Sequence, residues 1–315
     1  MLSEFELIAR HFARSPRAES HGVALGVGDD CALLTPSAGC QLAVSVDTSV
    51  AEVHFPADAP ASAIGHRALA VALSDLAAMG ATPRWCLMAL SLPDVDDAWL
   101  AEFAAGFHAL CEQSGVTLVG GDVTRGELAI SVTVHGEVPS GTALARDAAR
   151  PGEALAVTGS LGGANAGLKA WRAGERDLTR PLLARYLLPQ PRLDAGQALR
   201  GLASAAIDLS DGLLPDLGHL CEASGVGADL DAAALPLADG LIKALGEEGA
   251  HRAALAGGDD YELLVSLPLA ALEQARARLA EIGVVLTVIG TCSATPGVRG
   301  VTTVDGWQHF PRGET

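Results

Sequence analysis

Hydrophobic residues along this chain switch repeatedly between a period of two and a helical period. After the strand-like run QLAVSV (41–46), apolar positions spread through a long helical pattern from about Pro60 to Met79, and the strand RWCLMALSL (84–92) follows. A helix opens near Asp96 or Asp97 and runs to about Gln113, leading into the short strand VTLV (116–119). In ELAISVTVHGEV (127–138), Leu128, Ile130, Val132 and Val134 recur at every second residue. That period belongs to a strand with one buried face, the pattern of an antiparallel sheet. At the start of the chain Phe5, Ile8, Ala9 and Phe12 recur at helical spacing behind a Ser3-x-x-Glu6 capping box, which predicts an amphipathic first helix.

The stretch PSGTALARDAARPGE (139–153) combines proline, glycine and charge without apolar periodicity and marks a boundary between a domain over 1–140 and a second over 150–315. Beyond it the pattern restarts with the strand EALAVTG (153–159), the glycine-rich SLGGANAGL and a helix to about Ala173. Further helices are expected at 192–203, 212–224, 238–248 and 268–282, with strands near 204–208, 261–267 and 284–290. The fold class expected is α+β, with an α/β-like alternation, in two domains of similar size. A length of 315 residues favours two cores over one.

Composition narrows the partners. With 38 acidic and 21 basic side chains the net charge is −17, which argues against nucleic acid or an anionic membrane surface. An anionic substrate would need metal ions to approach. The most apolar stretch, 61–92, is interrupted by His66, Arg67, Asp75 and Arg84, so no run reaches the ~18 uninterrupted apolar residues of a membrane span. The first fifteen residues carry acids early and lack the apolar block of a secretory signal, and the six cysteines form no CxxC pair. Reduced thiols in a cytoplasmic protein are the expectation.

Acidic residues sit beside glycines or small polar residues in six segments: GVGDD (26–30), SVDTS (45–49), LSDLAAMGATP (73–83), VGGD (119–122), IDLSDG (207–212) and GGDDYE (257–262). Taken singly, each also reads as a helix cap or a solvated turn. Asp75 is the exception, because apolar residues surround it in its helix and a carboxylate there would lose several kcal/mol of hydration unless it binds metal or pairs with a base such as Arg67. Together the six fit several Mg²⁺ ions carrying a polyphosphate, since Mg²⁺ takes hard oxygen ligands and shares its shell with substrate phosphates. There is no GxxxxGK[ST], and GVGDD is not a GxGxxG. A nucleotide would therefore be held mainly through metals and arginine, for which Arg146 and Arg150 flank the boundary. The reading is an ATP-using phosphotransferase.

The ordered set GVGDDCALL, VDTSVAEVHFP, IGHRALAVALSDLAAMGATPRW, LVGGDVTRG, AIDLSDGLLPDLGHL and LAGGDDYELL resembles the thiamine-monophosphate kinase family over nearly the whole chain. The resemblance implies an N-terminal mixed sheet with helices that pairs across a homodimer, a C-terminal α/β sandwich, and ATP in the cleft between domains. It implies transfer of the γ-phosphoryl group of ATP to thiamine monophosphate, with Asp30, Asp47, Asp75, Asp122, Asp208 and Asp211 holding several Mg²⁺ ions and Ser45 and the main chain of Val46 assisting. Gly121, Asp122, Arg146 and Ser210 would contact the nucleotide, and His54, Glu262 and Trp307 the thiamine, Trp307 by stacking on a cationic ring. The chain departs from some relatives at Val46, which lacks a hydroxyl and offers only its carbonyl, and at Ala105, near which an aromatic contact to adenine is expected but Phe107 stands two residues on. No general base is required, because the acceptor is already an anionic phosphate oxygen. Two other readings stand beside this one. A ligase or cyclase of the same superfamily would use ATP to activate an amide or carbonyl oxygen, and a nonenzymatic metal-binding protein is opposed by the interior position of Asp75.

Overall fold

The computed structural model describes residues 4–13 and 22–301. By internal contacts the chain divides into one unit of Met1–Leu76 with Ala81–Ala143 and another of Ala77–Gly80 with Leu144–Thr315. Helices and mixed sheets in both make the fold α+β.

In the first unit, α1 (Glu4–Leu7) continues into a π-helix (Ile8–Phe12), and β1 (Val23–Leu25) pairs antiparallel with β2 (Leu33–Leu34). There follow β3 (Cys40–Val50), α2 (Ala61–Ala78), β4 (Thr82–Leu92), α3 (Asp97–Ser114), β5 (Thr117–Arg125) and β6 (Ala129–Pro139). The sheet order is β3-β6-β4-β5, with β6 antiparallel to both neighbours and β4 parallel to β5 across the α3 crossover. The period of two holds in β6, where Ile130, Val132 and Val134 are fully buried and the residues between them are not.

α2 and α3 approach very closely, and two glycines make that possible. A Cβ on Gly65 would lie 2.2 Å from the Phe103 carbonyl oxygen, and one on Gly106 would lie 1.9 Å from that of Ser62. Asp96 caps α3 by accepting the N–H groups of Ala98 and Trp99, and Gly115 ends it in the left-handed region.

The first helix differs from its expected form. The wider turn of the π-helix moves the buried set to Leu7, His11 and Phe12 and leaves Ala9 exposed. α3 provides the reason: Asp97 takes the His11 ring at 2.9 Å, and Phe12 meets Phe103 edge-on at 6.4 Å. Ser3 of the expected capping box lies outside the described residues.

The second unit runs β7 (Ala154–Thr158), α4 (Gly163–Arg172), α5 (Pro181–Leu187), α6 (Leu193–Leu199), β8 (Ala205–Asp208), α7 (Leu213–Ser224), β9 (Gly227–Leu230), α8 (Leu241–Ala256), β10 (Leu263–Leu267), α9 (Leu272–Glu281), β11 (Leu286–Ser293) and β12 (Gly297–Arg299). Its strands are ordered β12-β9-β11-β7-β10-β8, antiparallel throughout except for β12 with β9. Every residue of β7 and β10 is buried, as befits central strands covered on both faces. Leu155, Val157, Ile207, Leu217, Leu264 and Ile289 form the middle of the core. The helix expected to end at 248 extends to Ala256 because Gly246, at φ 71°, joins two helical pieces across a kink.

Candidate active site

Edge strand β3 presents alternate residues to opposite faces of its sheet. Ser45 and Asp47 lie opposite Val134 and Val132 of β6, on the buried face, while Val46 is 60% exposed on the other. Only the backbone of Val46 is therefore available on the Asp47 side. Asp75 of α2 reaches the same place, and its carboxylate accepts a short hydrogen bond from the Ser45 hydroxyl. Burial, and then the charge of Asp75, pushes the Asp47 pKa up to about 6. Two carboxylates and a hydroxyl thus meet in a setting where the second negative charge is costly.

Asp30 and Asp122 share a cavity of about 730 Å³ within the first unit, together with Gly28, Asp29 and Gly121 and an apolar wall that includes Ile8, Phe12 and Leu87. Asp29 accepts the Asp30 N–H at 2.8 Å and so fixes the turn that carries it. At Gly121 a Cβ would fall 1.9 Å from the Met88 carbonyl oxygen. A bare backbone is therefore required immediately before Asp122. His54 Nδ1 accepts the Val50 N–H at 2.9 Å, which leaves the ring proton on Nε2. Phe103 and Phe107 lie two residues either side of Ala105 and both are fully buried, stacked on each other, while Ala105 is exposed, so both flanking aromatics are committed to the core.

The second unit has an acidic turn of its own. Asp208 ends β8, and Ser210 and Asp211 follow before Gly212 caps α7. Asp216, in the first turn of α7, reaches back to accept the N–H groups of Asp211 at 3.1 Å and Gly212 at 3.2 Å. Its pKa is pushed up to about 8 by burial and by the charges of Asp208 and Asp211. The GGDDYE loop lies against this turn, with Asp259 N–H donating to the Ser210 carbonyl and Tyr261 N–H to that of Leu209, both at 2.8 Å. Asp259 and Tyr261 hold positive φ of 71° and 49°, backbone strain of the kind that collects at functional loops.

Glu262 is 1% exposed and grips Arg192 in a bidentate pair. Arg146 has an exposed side chain, while its carbonyl accepts the Ser224 hydroxyl at 2.8 Å. Trp307 lies outside the described residues. Sequence pattern marks Asp260 only as one acid of GGDDYE, and it does not mark Asp216 or Arg192. An acid soon after the DG of IDLSDG was the available signal for Asp216, because such a residue can reach back over its own helix terminus. Arg192 gave none, since its partner is 70 residues away.

Among the described residues no group of three or more His, Cys, Asp or Glu side chains forms a metal site by itself. Mg²⁺ needs fewer, because one or two carboxylates suffice when water and substrate phosphate complete the shell. The donor set of Ser45, Asp47 and Asp75 is all hard oxygen, and it fits.

Known proteins match along the same two units. Residues 28–138 match the AIR synthase related protein N-terminal domain and residues 150–302 its C-terminal domain. Thiamine-monophosphate kinase of Escherichia coli K12 is 47% identical over 92% of this chain and 90% of its own. The crystal structure of thiamine-monophosphate kinase from Stenotrophomonas maltophilia K279a superposes with a TM-score of 0.87 at 44% identity, covering 94% of this chain and 96% of that one. AaThiL complexed with AMPPCP and TMP gives 0.79 at 31% identity, covering 88% and 89%. The acidic turns and the matches over both units lead to one assignment: the chain belongs to the thiamine-monophosphate kinase family of AIR synthase related proteins.

Proposed function

We propose that this chain transfers the γ-phosphoryl group of ATP to the phosphate of thiamine monophosphate, giving thiamine diphosphate and ADP. The carrying observation is the meeting of Ser45, Asp47 and Asp75 in a chain 47% identical to a thiamine-monophosphate kinase. The AaThiL complex with an ATP analogue and TMP supports both substrates.

Mg²⁺, when bound, neutralises the repulsion between two anionic reactants. Asp30, Asp47, Asp75, Asp122, Asp208 and Asp211 would hold it, with the Ser45 hydroxyl and the Val46 carbonyl. Gly121, Asp122, Arg146 and Ser210 bind the nucleotide, and His54, Glu262 and Trp307 orient the acceptor. Residues 1–140 form the ATP and metal domain, and 150–315 complete the site. No side chain removes a proton, since positioning and charge neutralisation are what phosphoryl transfer requires. The protein acts in the cytoplasm as a homodimer through the first unit's sheet, a reading supported by Leu42, Val44 and Val46, which are 46%, 57% and 60% exposed along one face of β3.

Purified protein incubated with ATP, Mg²⁺ and thiamine monophosphate forms thiamine diphosphate, detected by chromatography, and forms none with EDTA or with unphosphorylated thiamine. ADP release that ignores thiamine monophosphate would instead place the chain with the ligases and cyclases of the superfamily. Asp122→Ala abolishes transfer with an unchanged Tm, because Asp122 is exposed.

A further inference from the structure

Glu262 is a buried carboxylate facing two guanidinium groups of the second unit. Its two oxygens accept Arg192 Nε and Nη2, each at 2.6 Å, and Arg185 Nη1 stands 3.8 Å away. The Thr158 hydroxyl adds a hydrogen bond at 2.8 Å, and Gly159 has no side chain because a Cβ there would lie 2.1 Å from Glu262 Oε1. Burial alone would lower the Arg192 pKa, but the hydrogen bonds and charge of Glu262 outweigh it and hold the guanidinium charged.

Two features point beyond a closed ion pair. Arg192 docks on Glu262 through its Nε–Nη2 edge, so its Nη1 has no partner among the described residues, and 27% of the side chain is exposed. A guanidinium held by one edge presents its other edge as a planar fork suited to phosphate. The charges also fail to cancel, with two arginines on one glutamate in a chain of net charge −17. Asp260 compensates only in part, because its carboxyl is spent on the Gly162 and Ala164 N–H groups and burial pushes its pKa up to about 7.

We infer that Arg192, locked by Glu262 and backed by Arg185, recognises the phosphate monoester of the acceptor. This rests on the function proposed above and defines what Glu262 does there, which is to aim the arginine that grips the phosphate. A fixed fork also explains how the site can discriminate the monophosphate from unphosphorylated thiamine, which offers it no anion.

The test is calorimetric binding of thiamine monophosphate, thiamine and ATP, each with Mg²⁺, to the wild type, Arg192→Lys and Arg192→Gln. Loss of a charge-assisted pair weakens thiamine monophosphate roughly ten- to hundredfold in Arg192→Gln and less in Arg192→Lys, while thiamine and ATP are unaffected. Arg192→Gln strands a buried carboxylate, so the double variant Arg192→Gln/Glu262→Gln keeps the inference falsifiable if the single variant fails to fold. It too must lose the preference for thiamine monophosphate over thiamine. A folded variant that keeps this preference, or one weakened equally for ATP, overturns the inference. A wild type that binds no thiamine monophosphate overturns the proposed function and this inference with it, an outcome distinct from a variant losing an affinity the wild type has.

Discussion

Asp260 shows what burial does to a single carboxylate. It accepts the Gly162 N–H at 2.6 Å and the Ala164 N–H at 3.3 Å at the start of α4, yet desolvation dominates and raises its pKa to about 7. The folded state therefore binds this proton more tightly than the unfolded chain, whose value is 3.8. The stabilisation is complete below about pH 4 and is lost as pH rises through about 7. Between pH 6 and pH 8 the loss is about 1.4 kcal/mol. Asp260→Asn cannot titrate, so denaturant unfolding at both pH values should show the wild type losing that stability relative to the variant. Burial also separates the residues that were legible in sequence from those that were not. Asp75 could be flagged because its neighbours in the helix are apolar, whereas Asp216 and Arg192 take their meaning from contacts that no local pattern encodes.

At the scale of elements, local chemistry was a good guide wherever an element was long and amphipathic. α2, α3 and β6 follow the periods expected of them within one or two residues, and Asp96 caps α3 where an acid before an apolar run predicts a start. Asp96→Ala removes the acceptor for two N–H groups and should cost about 1 kcal/mol in denaturant unfolding. α5, β9 and β12 leave no mark in the sequence pattern, because a few residues carry too little periodicity to read. The π-helix at Ile8–Phe12 departs from the local pattern for a different reason. Its winding is set by what α3 offers to His11 and Phe12, a contact made across more than 80 residues.

At the scale of the whole molecule, the first unit's sheet leaves Leu42, Val44 and Val46 exposed on one face, beside a bare edge at β3. Unpaired edges with apolar faces are normally covered or charged. If the proposed homodimer covers this one, Val44→Asp should yield a folded monomer in sedimentation equilibrium, with a Tm that no longer rises with protein concentration, because Val44 is exposed in the single chain and only association would bury it. A dimer that survives the substitution would move the interface elsewhere.

Sequence by itself determined the α+β class, the family and the places of the acidic segments along the chain. These depend on side-chain type, spacing and order, all of which are linear properties of the chain. Tertiary structure alone decided which acids meet. Ser45 bonds Asp75 across 30 residues, Glu262 holds Arg192 across 70, and the raised pKa values of Asp47, Asp216 and Asp260 come first from burial and then from charges brought near by folding. Desolvation and Coulomb interaction depend on distance in space, and that distance is fixed only when the sheets and helices pack.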